Sequence, residues 1–173
     1  MKKINIAHII LTLCLIYFVF TPKILAVDYP LAWPGILPDN KFYKLKVLRN
    51  KIIAKIIINP VKRVEFDLLM ADKTIYASKL LIDKGEIALA KDTALKGENY
   101  YSILVQDYNR VLLKGKKIPE SLDSKITLAA IKHQKVFKHL ENKVTDEDKK
   151  TFQIVSKFSK INYDFIVGFR NPK

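Results

Sequence analysis

The sequence predicts an all-α protein: a bundle of four or five mostly antiparallel helices, preceded by an N-terminal leader and an extended proline-aromatic strap. Three observations carry this. Apolar residues recur at three- and four-residue steps from Leu45 to Phe165, the spacing of one helix face, and no strand-type alternation competes. Only five glycines occur in 173 residues, too few for a fold rich in tight turns. The breaks between periodic segments are short, so consecutive helices are expected to lie antiparallel.

The leader is residues 1–26. Met1-Lys2-Lys3 is a positive start, Ile4 to Phe20 is apolar apart from Asn5, His8 and Thr12, and Ala26 offers a small residue for cleavage. That is the order of parts in a secretory signal peptide; uncleaved, the same segment is an N-terminal membrane anchor. Either way Lys2 and Lys3 hold the start inside, and the body is expected outside, secreted or attached to the outer face of the cytoplasmic membrane. Cys14, the only cysteine, lies in the leader, so a cleaved chain has no disulfide and no cysteine metal site. Loss of Lys2, Lys3 and Lys23 takes the formal charge from +14 to +11. This basic balance favours anionic partners.

The strap is residues 27–40. Pro30, Pro34 and Pro38 fix φ and keep the residues before them out of helix, and Pro34-Gly35 marks a turn. Trp33, Ile36 and Leu37 are apolar enough to need cover, so the strap is expected to fold back onto the helices. Asp39 or Asn40 then caps the first helix.

The helical domain is residues 41–171. Helix 1, from about Lys41 to Ile58, carries Leu45, Leu48, Ile52 and Ile56 as its expected buried face. Pro60 opens helix 2, which runs to about Lys84 and is apolar on two sides, so it is expected at the centre. Glu65, Asp72, Lys79 and Asp83 make its narrow polar strip, and Gly85 stops it. Helix 3, from about Glu86 to Leu113, has a seam of Ile87, Ala90, Ala94, Gly97, Tyr101, Leu104, Tyr108 and Val111. Gly97 costs about 1 kcal/mol against alanine in a helix, so close packing or a kink is expected there. Helix 4, from about Ser121 to Lys143, has the seam Leu122, Ile126, Ala129, His133, Val136 and Leu140. Thr145 caps helix 5, acids at 146–148 suit its positive end, Ile154, Phe158, Ile161 and Phe165 are its expected buried face, and Gly168 and Pro172 end it.

The strap and the first two helices resemble a family of exported prokaryotic proteins known as a domain of unknown function. The opening Y-P-x-x-x-P-G-x-L-P-D-[NH]-x-x-Y-x-L-K-x-x-R stands here as Tyr29, Pro30, Pro34, Gly35, Leu37, Pro38, Asp39, Asn40, Tyr43, Leu45, Lys46 and Arg49. A second block is Asn59-Pro60, Lys62-Arg63, Glu65, Leu68 and Ala71-Asp72-Lys73, and a third is Lys84-Gly85 with Ala90. The resemblance spans roughly residues 29–95. It implies a signal or anchor followed by a helical extracytoplasmic domain, and no activity.

The chemistry of common sites is missing from the pattern. There is no G-x-S-x-G and no cysteine outside the leader for nucleophilic catalysis. His133 and His139 lie about 240° apart on a helix and cannot share a metal; His133 falls on an apolar seam and reads as a hydrogen-bonded core residue. The acids at 146–148 lack the alternating ligands and glycine of a calcium loop. No metal or cofactor is expected. Glu65 and Asp72 stand two turns apart, too far for a hydrolytic carboxylate pair, and are expected to pair with Arg49, Arg63 or Lys79. Tyr101 and Tyr108 belong to the core seam, and an exported protein meets little nucleic acid.

The best candidate surface is helix 1. Lys41, Lys44, Lys46, Arg49, Lys51 and Lys55 occur there without one acid, a pattern suited to anionic lipid head groups or acidic wall polymers. The expected function is therefore a non-enzymatic, extracytoplasmic binding or scaffold module associated with the cell envelope, touching such polymers, lipids or another envelope protein. The alternatives are a helical wall-acting hydrolase using Glu65 and Asp72, or a helical-hairpin module for protein interaction.

Overall fold

A computed structural model describes residues 29–170; the leader lies outside them. Five helices follow the strap: α1 (Tyr43–Ile56), α2 (Pro60–Asp83), α3 (Ile87–Leu113), α4 (Glu120–Glu141) and α5 (Asp146–Arg170). No strand occurs among the described residues. The order and number match the periodicity, with no end shifted by more than three residues.

Helices α2 to α5 form a four-helix bundle in which α2 packs on α3, α3 on α5, α5 on α4 and α4 on α2. Not every neighbour is antiparallel. The pairs Lys91–Asp148 and Glu98–Asn162 rise together along α3 and α5, so those helices run parallel. Helices α3 and α4 still touch, through the Tyr101 hydroxyl donating to Ile126 O at 2.9 Å.

The central helices bury the seams expected of them. On α3, Ala90, Ala94, Gly97, Tyr101, Leu104, Tyr108 and Val111 are buried, and on α4 so are Leu122, Ile126, Ala129, His133, Val136 and Leu140. Helix α3 runs unbroken through Gly97, where a Cβ would sit 2.5 Å from Ile75 Cγ1 and 3.1 Å from Ile75 N. Close approach of α2 is therefore the reason for glycine. Asn59 caps α2, its Oδ1 accepting from Val61 N at 2.9 Å, with Pro60 at a position that needs no donor. Gly85 ends α2 as expected, where Glu86 N reaches back to Leu81 O at 2.9 Å.

Two expected faces are corrected. On α5 the buried line is Phe152, Val155, Ser159, Asn162 and Ile166, whereas Ile154, Phe158, Ile161 and Phe165 are exposed. The reason is a polar seam: Asn162 Nδ2 donates to Glu98 Oε1 at 2.7 Å and to Ser102 Oγ at 2.8 Å, which fixes the rotation of α5 against α3. Gly168 lies within α5 and does not stop it. On α1 the line Leu45, Leu48, Ile52 and Ile56 also faces out. Its inward side is Asn50, with Tyr43, Val47 and Ala54 half-buried.

The strap does fold back, but of the residues expected to be covered only Leu37 is half-buried, while Trp33 and Ile36 stay exposed. Tyr29 and Leu31 pack against the two halves of the core. Trp33 meets Tyr76 edge-on at 5.6 Å yet stays 65% exposed.

Candidate functional site

Polar ties hold α1 against the outside of the bundle. Asn50 Nδ2 reaches Met70 Sδ at 3.5 Å. Arg63 Nη1 donates to Ala54 O at 2.7 Å while its Nε donates to Asp67 at 3.0 Å. Lys46 Nζ donates to Pro34 O and Ile36 O, each at 2.8 Å. Because these contacts set the rotation, the apolar stripe of α1 is turned away from the core.

Lys46 is thus a clip, not a surface cation. Its ammonium is held below the usual lysine range by burial first, then by Lys73 and Arg49. The other basic residues remain on the surface, Lys41 in the turn before α1 and not on the helix as expected. Lys41, Lys44, Arg49, Lys51 and Lys55 are exposed; Lys41 lies over the Phe42 ring at 5.1 Å and Arg49 donates to Asn50 Oδ1 at 3.0 Å. Among the described residues none of the five pairs with a carboxylate, and the helix carries no acid.

The expected motif residues converge on the same fastening. Gly35, at φ 68, turns the chain so that the carbonyls on either side of it both face Lys46. Pro34 is buried; Leu37 O accepts from Asn40 N at 3.0 Å. Asn40 Oδ1 accepts from Phe42 N at 2.9 Å, and its carbonyl accepts from Tyr43 N at 2.9 Å, so Asn40 organises the turn into α1. Asp39 pairs with Lys84 at 2.7 Å. Leu37 and Pro38 are half-buried, while Pro30 is exposed. Residues from all three sequence blocks therefore meet to fasten strap and α1 to α2.

Beneath the strap, Asp72 is buried. Its Oδ2 accepts from the Tyr29 hydroxyl at 2.6 Å and its Oδ1 faces His133 Nε2 at 2.7 Å. Burial first, then the Asp72 carboxylate, raises Tyr29 above the ordinary tyrosine range. The expected pairing of Asp72 with Arg49, Arg63 or Lys79 is corrected: Arg63 holds Asp67, and Lys79 holds Asp83 at 3.1 Å. Glu65 instead pairs with Lys62 at 2.7 Å. His133 is a buried core histidine, edge-on to Tyr101 at 5.3 Å. The sequence hinted at this cluster only through His133 on an apolar seam.

A groove of about 640 Å³ beside the strap is lined by Tyr29, Glu65, Asp72, Ser121 and Lys125, among others. Both Asp72 oxygens are engaged within the protein, one by Tyr29 and the other by His133. At the other end, the acids of α5 pair with lysines, Asp146 with Lys149 and Asp148 with Lys91. No helix among the described residues is long and apolar enough to cross a membrane.

Comparison with curated proteins and with solved structures returns no match. A family model does match, from Gly35 in the strap turn to Glu147 in the first turn of α5. The match begins after the Tyr29-Pro30 start of the expected motif and runs well beyond residue 95, through α4. It covers more than half of the chain, which therefore belongs to the family described as a domain of unknown function, DUF5667, matched over residues 35–147.

Proposed function

We propose that the protein is an extracytoplasmic binding module that attaches to anionic material of the cell envelope through α1. The observation that carries this is the set Lys44, Arg49, Lys51 and Lys55 on a helix without acids, with Lys41 in the turn before it, all exposed and unpaired with carboxylates among the described residues. Surface lysines and arginines near anionic lipid contribute about 1 kcal/mol each, so the four lysines and Arg49 together favour attachment. The engaged Asp72 and the Glu65–Lys62 pair support a role in binding over one in hydrolysis. The apolar leader, read as a signal or anchor, supports an extracytoplasmic place.

Fractionation of expressing cells, with intact mass of the product, tests this. The expected product is in the envelope fraction, released by salt if residues 1–26 have been removed. A product found wholly in the medium or cytoplasm at low salt contradicts the reading.

A further inference from the structure

Helix α1 is amphipathic in the inverted sense. Leu45, Leu48, Ile52 and Ile56 are 63%, 56%, 50% and 69% exposed. At about 100° per residue they share one arc of the helix. Lys44, Lys51 and Lys55 lie along one edge of that arc and Arg49 along the other. Asn50, Tyr43, Val47 and Ala54 occupy the opposite side, against the bundle. A helix that only packed on the bundle would place its leucines and isoleucines inward.

We propose that this outward stripe of α1 lies in an anionic lipid surface, its apolar side chains at the acyl boundary and its flanking cations at the lipid phosphates. This rests on the attachment proposed above and names its partner. Charge and apolarity together select the occupant. A soluble polyanion matches the lysines and leaves four large apolar side chains in water. A bilayer surface is anionic at the level the lysine tips reach and apolar just beneath, which is the profile of this face. The chain ahead of α1 agrees. The apolar run Ile4 to Phe20 precedes the strap, and Lys46 clips the strap to α1, so a leader seated in the membrane holds α1 beside it.

The test places an environment-sensitive fluorophore on α1 in the full chain. Ile52→Cys in a Cys14→Ser background is labelled with nitrobenzoxadiazole and reconstituted into vesicles of phosphatidylcholine with or without phosphatidylglycerol. Ser124→Cys on the exposed face of α4 is the control. The readout is local, so retention of the chain by its leader does not affect it. The label at 52 is expected to shift to the blue in phosphatidylglycerol vesicles and to be quenched by acyl-chain spin labels. The control is expected to do neither, and the shift is expected to be lost on Lys44→Glu/Lys51→Glu/Lys55→Glu. A label at 52 that stays aqueous on anionic vesicles overturns insertion. If soluble polyglycerol phosphate nevertheless protects the α1 lysines from an amine reagent, anionic attachment stands with a polymer as partner. If neither vesicle nor polymer protects them, both readings fall.

Discussion

Tyr29 and Asp72 stand 43 residues apart and are joined at 2.6 Å, hydroxyl to carboxylate. The contact fixes the start of the strap to the centre of α2, and Asp72 is fixed in turn by His133 on α4. One carboxylate thus ties together three parts of the chain. Tyr29→Phe removes a donor from a buried acceptor and is expected to cost about 1–3 kcal/mol in urea unfolding. In an Asp72→Asn background the same change is expected to cost less, because the pair is coupled. Additive losses would show that the bond contributes nothing beyond packing.

Gly97→Ala tests the contact of α2 with α3. Alanine is favoured by about 1 kcal/mol on helix propensity alone, but its Cβ would lie 2.5 Å from Ile75 Cγ1. Net destabilisation of about 1–3 kcal/mol is expected from overpacking. In an Ile75→Ala background the penalty should shrink. A more stable Gly97→Ala protein would mean that α2 yields without cost.

The two sides of α5 make opposite predictions. Phe152 is fully buried and Phe158 is 53% exposed. Phe152→Ala is expected to cost about 3–5 kcal/mol, and Phe158→Ala less than about 1 kcal/mol. Thermal unfolding of the two variants measures this; equal losses would contradict the rotation of α5.

The buried carboxyls set a pH dependence. Burial, opposed by the hydrogen bond from Asn162, pushes Glu98 from 4.5 up to about 8. Asp67 is raised by burial from 3.8 to about 6, despite Arg63. Below the unfolded values both states hold the proton. As pH rises from about 4.5 to about 8, the unfolded chain releases the Glu98 proton first, so stability falls across that window. Asp67 adds a smaller fall between about 4 and about 6. Urea midpoints of Glu98→Gln should lose most of the decline between pH 5 and pH 8. A parallel decline in parent and variant would assign it elsewhere.

The middle of the bundle was legible in the sequence and its edges were not, for one physical reason. In α2, α3 and α4 the richest apolar seam is also the buried one. Helices α1 and α5 each have a second side whose burial is decided by polar partners on other helices. Asn50, Arg63 and Lys46 turn α1, and Asn162 turns α5 toward Glu98. Periodicity shows where apolar residues line up; it does not show what covers them. The basic residues of α1 were legible as a surface, except Lys46, whose carbonyl partners lie in the strap. The sequence points Asp72 to Arg49, Arg63 or Lys79 because nothing local marks its actual partners, Tyr29 and His133.

Amine-reactive footprinting in isolated envelopes tests the central claim most directly, whether or not the leader is cleaved. Lys44, Lys51 and Lys55 are compared with the exposed loop residues Lys114, Lys116 and Lys117. The account predicts that at low salt the α1 lysines are protected and the loop lysines are not, with protection lost at high salt as screening shortens the reach of the charges. Equal labelling of both sets in envelopes at low salt would contradict it.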